Sequence, residues 1–286
     1  MIYLLLAKLY ARLIMIVNKL FGVGVPGLGF LCRRIKLEHT INVKGRKYYF
    51  YRGAASMYST LIAGKFPEPQ THRFFKKVIP KITGRIGFID VGAAIGEMVI
   101  DAAGYDNVDH VIAFDPDPEL AKAIRLSAAI NEFDNIDIIP KAVADEVKTV
   151  NFKFNRYRGT SGKICNQEDR TTEKTLCTTL DNENEKKDIP YMILIDVEGA
   201  ELLVLKGGHK FIQQKRPLII FEYISGKDNN LPEIRDTLGK GYEIYRMKDD
   251  GTLDDNFDKT WNCVAVHKDS VFYEPCRSIT LKQKQV

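Results

Sequence analysis

The chain has 286 residues, 45% of them hydrophobic and 28% charged, enough to bury the core of one full α/β domain and leave an appendage, which excludes a disordered or fibrous polypeptide. Its five cysteines, Cys32, Cys165, Cys177, Cys263 and Cys276, are odd in number and lack a CxxC pair, and its five histidines stand apart. This argues against a disulfide framework and a metal cage, and fits a reducing cytoplasm. The net charge of +5 hides an asymmetry: residues 1–87 carry sixteen lysines and arginines against Glu38 and Glu68 alone, while the remainder is net acidic. Such a basic lobe either meets an anionic neighbour (a membrane surface, an acidic glycan or nucleic acid) or is simply a solvated surface.

Residues 1–21, MIYLLLAKLYARLIMIVNKLF, are strongly apolar, but Lys8, Arg12 and Lys19 interrupt them short of the roughly 18 apolar residues that a membrane span needs. On a helix those three fall within about 40° of one another and leave a wide apolar face. The segment reads as a helix in a bilayer interface, giving a peripheral membrane contact, or as a helix packed on the protein's own core. A signal peptide fits less well, because no basic n-region precedes the apolar run. After the Gly/Pro-punctuated GVGVPGLGFL, the stretch IKLEHTINVKGRKYYFYR alternates apolar and polar residues about Lys44-Gly45, as a β-hairpin does. Residues 1–84 thus read as a basic appendage and residues 85–286 as the main domain.

From Arg85 onward the runs GFIDVG, HVIAFDP, IDIIPKAV, YMILIDV and PLIIFEY are continuously apolar and alternate with helical stretches, the pattern of a parallel sheet covered on both faces. TVNFKF reads as an extra strand. It precedes a polar loop in which Arg156, Tyr157, Arg158 and Ser161 suit a glycan or phosphate, or form a merely solvated excursion. YEIYRM (242–247) and NCVAVHK (262–268) close the chain as a β-pair.

The first strand of the main domain runs into Asp90-Val91-Gly92-Ala93-Ala94-Ile95-Gly96, two glycines four apart where strand turns into helix, so that backbone can approach a ligand closely. In a dinucleotide fingerprint, GxGxxG, the middle glycine admits a pyrophosphate. Ala94 stands there, which favours a cofactor without one. Asp115 ends the second strand 19 residues after Gly96, where a carboxylate can accept both hydroxyl protons of an adenosine ribose. Ala142-Val143, after the third strand, form a small-residue bend against which an adenine ring can lie. After the fourth strand, Asp196-Val197-Glu198-Gly199-Ala200-Glu201 gathers three carboxylates at a helix start. Asp196 and Glu198 are the candidates for a general base, against the alternative that acids in a first turn serve the free N–H groups and the dipole of the helix.

Together DVGAAIG, FDP and IDVEGAELLVLKGG resemble the FkbM-type methyltransferases, whose segments look like DVGAxxG, FEP or FDP, and DVEGAE; the likeness covers about residues 85–225. The resemblance implies a Rossmann-like class I methyltransferase fold with a mostly parallel seven-stranded sheet and helices on both faces. It also implies S-adenosylmethionine as donor and usually O-methylation of a sugar, glycan or secondary metabolite. Carried over, Asp90, Gly92, Ala93 and Gly96 hold the methionine end, Asp115 the ribose, and the segment from Asp196 to Glu201 faces a small-molecule or glycan acceptor. Family members often carry Asn where this chain has Ala94 and Glu where it has Asp115. Two rivals stand beside this reading. An NAD(P)-dependent oxidoreductase is disfavoured by the absent middle glycine. A non-catalytic module would bind membrane or RNA through Arg33-Arg34-Lys36 and Lys44-Arg46-Lys47 with Tyr48, Tyr49 and Tyr51.

Overall fold

The alternation about Lys44-Gly45 folds as a hairpin: β1 (Thr40–Val43) and β2 (Arg46–Tyr49) pair antiparallel. Lys44 and Gly45 both take positive φ, 50° and 88°, the backbone that a two-residue turn between twisted strands requires. The computed structural model describes residues 9, 10, 13, 40–51, 54, 58–154, 162–165, 172–183, 188–224, 230–258 and 260–281. The expectations for the rest of residues 1–39, including Arg33, Arg34 and Lys36, and for Arg156, Tyr157, Arg158 and Ser161 lie outside the described residues. Leu9, Tyr10 and Leu13 are helical and exposed. Among the described residues no helix is long and apolar enough to cross a membrane.

Two helices follow the hairpin, α1 (Ser59–Ile62) and α2 (Pro69–Val78). Pro69 occupies the first turn of α2, where its missing N–H costs nothing, and the chain tightens into a 3-10 turn at Ile79–Lys81 around Pro80. The main domain then runs β3 (Ile86–Val91), α3 (Glu97–Ala103), β4 (Val108–Phe114), α4 (Pro118–Ile130), β5 (Ile136–Ile139), β6 (Ala142–Val143), β7 (Lys148–Lys153), β8 (Lys163–Cys165) and β9 (Thr172–Thr178). It continues with α5 (Leu180–Glu183), β10 (Tyr191–Ile195), α6 (Glu201–Gly207), α7 (His209–Lys215), β11 (Leu218–Glu222), α8 (Leu231–Leu238), β12 (Tyr242–Met247), β13 (Leu253–Asp254), β14 (Asn262–His267) and α9 (Tyr273–Arg277).

The main sheet has the order β13-β12-β14-β11-β10-β3-β4-β5. Neighbours from β5 to β11 are parallel, and β14 runs antiparallel between β11 and β12. The expected seven strands are all present, and the two-residue β13 adds an eighth at the edge. One expected strand divides. In IDIIPKAV, β5 stops at Ile139 because Pro140 offers no N–H to a ladder, and Ala142–Val143 leaves the main sheet to pair with β9 in a second sheet of order β6-β9-β7-β8. TVNFKF contributes β7 to that second sheet.

Successive residues of β3 face opposite sides, Ile86 and Phe88 into one core cluster, Ile89 and Val91 into another. Both faces are covered, which is why the strands read as unbroken apolar runs. The first face is covered in part by α2: Phe74, Phe75 and Val78 are fully buried there, with the Phe75 ring edge-on to Phe88 at 5.4 Å. The hairpin and α1 cover α3 and α4 through Tyr48, Leu61, Ile100 and Ala128. Ser127 Oγ accepts the Tyr49 N–H, and Asn131 bonds to both backbone groups of Lys47. The change of sequence pattern at residue 84 therefore coincides with no break in packing. Phe75→Ala is expected to cost about 3–5 kcal/mol in denaturant unfolding, the loss for a fully buried aromatic ring. A cost under about 1 kcal/mol would show that α2 lies outside the core.

Candidate functional site

The ends of β3, β4 and β10 meet at the C-terminal edge of the sheet. Gly92 follows β3 with φ +94°, and a Cβ added there would lie 1.9 Å from the Asp196 carbonyl oxygen, so only glycine lets the two loops touch. The Asp196 N–H donates to Val91 O, while Phe114 O accepts from both Gly92 and Ala93. Ala94 also takes positive φ, 50°, which turns its N–H onto Asp115 Oδ2 at 2.8 Å. Asp115 Oδ1 accepts the Asp117 N–H at 2.8 Å. The carboxylate that ends β4 is thus fixed by one backbone donor on each oxygen.

These strand ends open onto a cavity of about 290 Å³. Of the residues expected to bind or react, Asp90, Gly92, Ala93, Asp115, Ala142, Val143, Asp196 and Glu198 all line it. Gly96 does not. It starts α3 with φ +76°, and a Cβ on it would press to 2.8 Å from Ile124 of α4, so its place in the fold is helix packing. Glu201 is likewise not part of the lining: its buried Oε1 accepts the N–H groups of Val197 and Gly199, closing the turn in which Glu198 and Gly199 take φ of 56° and 98°. Within the acidic segment, Asp196 and Glu198 are the carboxylates on the wall.

The cavity is acidic. Glu68, Asp90, Glu97, Asp115, Asp117, Asp196 and Glu198 line it, against Lys141, whose Nζ is paired with Glu183 at 2.5 Å. Burial pushes Asp115 up to about 7, against the pull of its two backbone hydrogen bonds. Asp90, 2% exposed, is held well above the usual carboxylate range by burial and then by the charges of Asp196, Glu68, Asp115 and Glu97. Asp196 is raised well above it by burial and then by the charges of Glu68, Glu222, Glu198 and Glu201. Glu222 acts on Asp196 through its charge without lining the cavity. Beside Ala142 and Val143 the wall turns apolar, with Phe152, Phe154 and Ile164 from the second sheet. Among the described residues no group of three His, Cys, Asp or Glu could hold a metal ion.

A family model described as the methyltransferase FkbM domain matches residues 90–244, more than half of the chain. The chain belongs to the FkbM methyltransferase family. It is also similar in fold to a methyltransferase FkbM from Methylobacillus flagellatus, with 16% identity and a TM-score of 0.45 over 76% of this chain, which spans only 53% of that protein's length. TYW2 of M. jannaschii, solved in complex with AdoMet, is 14% identical with a TM-score of 0.42, covering 80% of this chain and 84% of that one. An rRNA methylase from Streptococcus thermophilus is 11% identical with a TM-score of 0.42, covering 69% and 93%. No curated protein matches the sequence.

Three cavity carboxylates of this FkbM-family chain were not anticipated from the sequence, Asp117, Glu97 and Glu68; Asp117 lies two residues after Asp115 and donates its N–H to it. Glu97 directly follows Gly96, and its adjacency to the glycine loop was the available signal. Glu68 caps the start of α2, where Thr71 Oγ1 and Asn262 Nδ2 donate to its Oε2 at 3.0 and 3.2 Å. No local pattern ties a residue at the start of α2 to a strand end more than twenty positions later. Gly92→Ala is expected to cost about 2–5 kcal/mol in unfolding experiments, combining a strained φ with a backbone clash. Wild-type stability in this variant would mean that the two loops are not in contact.

Proposed function

We propose that the chain transfers a methyl group from S-adenosylmethionine to a hydroxyl of a sugar, glycan or secondary metabolite. The observation that carries this reading is the Asp115 carboxylate, braced by Ala94 and Asp117 N–H groups and set beside the Gly92 turn on the wall of one cavity with Asp90 and Asp196. Each Asp115 oxygen keeps a lone pair for a ribose hydroxyl. Asp90 has no hydrogen-bond donor among the described residues and suits an ammonium group. The apolar stretch of Ala142, Val143 and Phe152 suits an adenine ring. An acidic cavity favours a cationic ligand, and the Ala94 backbone, turned toward Asp115, leaves no glycine for a pyrophosphate.

When bound, S-adenosylmethionine supplies an electrophilic methyl group on a cationic sulfur. The protein's main task is to hold the acceptor oxygen in line with that group. Asp196, its proton affinity raised by burial and by its acidic neighbours and its side chain without a hydrogen-bond donor among the described residues, accepts the proton of the acceptor hydroxyl as the oxygen–carbon bond forms. Glu198, on the exposed lip of the same turn, is placed to orient the acceptor. Leu9 and Leu13, four apart and exposed on helix, support a peripheral membrane contact for residues 1–21.

Calorimetric titration tests the donor. S-adenosylmethionine and S-adenosylhomocysteine are expected to bind while NADH and NADPH do not, and Asp115→Ala should weaken binding by about 1.5–3 kcal/mol, as for hydrogen bonds to a charged group. Ribose hydroxyls donate to the ionised carboxylate, which is lost as pH falls through about 7. Affinity should therefore drop about tenfold per pH unit on the acid side, and the pH dependence should vanish in Asp115→Asn. Asp196→Asn should lower kcat about 10²–10⁴-fold with donor affinity retained. An unchanged kcat would remove Asp196 as the base.

A further inference from the structure

Helix α2 lies in the basic N-terminal part of the chain, yet it reaches the cavity through Glu68 at its start and through His72, which meets Glu97. His72 sits 7% exposed between two carboxylates of α3: its Nε2 is 2.5 Å from Glu97 Oε1 and its Nδ1 is 2.6 Å from Asp101 Oδ2. Glu97 and Asp101 are one helical turn apart, so they grip the ring from the same face of α3. Phe66 stacks on the imidazole at a centroid distance of 3.6 Å and an interplanar angle of 14°, which fixes the ring plane. Asp101 lies behind the ring, and Glu97 is the member that lines the cavity, immediately after the glycine loop.

A neutral imidazole has one N–H to give, whereas two ionised carboxylates at these distances each require a donor. The protonated ring satisfies both. We propose that His72, as an imidazolium, is a positioning residue for methyl transfer: it fixes the Glu97 carboxylate, as an anion, on the cavity wall at the methionine end of the donor site. This rests on the S-adenosylmethionine reading given above. Glu97 then adds a fixed negative charge where the ammonium and sulfonium of the donor are received, and α2 becomes part of the donor site through His72 as well as through Glu68.

The surroundings agree with this assignment. The two carboxylates raise the proton affinity of His72 against the opposing effect of burial. Glu97 is raised by burial, and His72 and the Glu68 backbone N–H favour its anion. The other groups facing the pair are the Glu68 carboxylate from the start of α2, Asp90 from β3, Tyr48 from β2 with a buried hydroxyl that has no partner among the described residues, and Arg46 beside it. Lys44 Nζ lies over the Phe66 ring at 5.0 Å, and Tyr105 senses Asp101. Tyr48 and Tyr105 stay neutral through the physiological range, since burial raises both. The charged form of His72 is the one that is lost as pH rises through its raised folded-state range.

The test compares wild type, His72→Gln and Glu97→Gln by titration with S-adenosylmethionine between about pH 7 and about pH 9, together with ring nitrogen NMR of His72 in the ligand-free wild type. Wild-type affinity is expected to fall about tenfold across that range, and both variants should bind about tenfold more weakly at pH 7 with little further change. The NMR signals should report a ring protonated on both nitrogens at pH 7, a readout that needs neither variant to fold. A His72→Gln variant that melts earlier yet binds the donor as wild type does at each pH would reduce His72 to a structural residue and overturn the proposal. So would a neutral ring at pH 7. If wild type itself does not bind S-adenosylmethionine, the donor reading fails first and this proposal falls with it.

Discussion

Everything at the sheet edge depends on the missing side chain of Gly92. Backbone of the loop after β3 rests on the carbonyl of Asp196 after β10, at a distance no Cβ tolerates. That contact, with the Asp196 N–H on Val91 O and the Gly92 and Ala93 N–H groups on Phe114 O, locks three strand ends together. Asp90, Asp115 and Asp196 then share one cavity although they are spread over more than a hundred positions of sequence. Parallel strands make this possible, because their C-terminal ends, and the loops that follow, all emerge on one edge.

The arrangement concentrates negative charge that is costly to bury. The structure meets that cost in different ways at different carboxylates. Asp115 has two backbone N–H groups, Glu201 has those of Val197 and Gly199, Glu97 has an imidazole, and Glu68 has a hydroxyl and an amide. Asp90 and Asp196 have no donor among the described residues and are the two whose protonation is favoured most strongly, by burial and by their acidic neighbours. Groups left in that condition are the ones a ligand can satisfy.

Local patterns in the sequence were reliable where the physics is local. A glycine turn after an apolar run, a two-residue hairpin turn and a β-pair closing the chain depend on residues within a few positions of one another, and each is found in place. Other residues have neighbours in the fold that their type and spacing do not reveal. Gly96 resembles a ligand-approach glycine, but Ile124 from α4 is what lies against it. Glu201 resembles an acceptor contact, but its carboxylate turns back to cap its own loop. Ala142–Val143 reads as the end of a main-sheet strand, whereas β9, thirty residues on, takes it into another sheet.

By itself the sequence determined the order of strands and helices, the glycine loop, the acidic strand ends and the family, because those are written in residue type and spacing over short stretches. Only the tertiary structure decided that Phe74, Phe75, Val78, Ile79 and Ile82 belong to the same core as the sheet, that Glu68 and Glu97 enter the cavity while Gly96 and Glu201 do not, and that His72 stands between two carboxylates. The reason is geometric: helical and strand periodicity are set by neighbouring dihedral angles, whereas which side chains meet is set by how α2, α3 and the strand ends pack, and that depends on contacts between residues far apart in the chain.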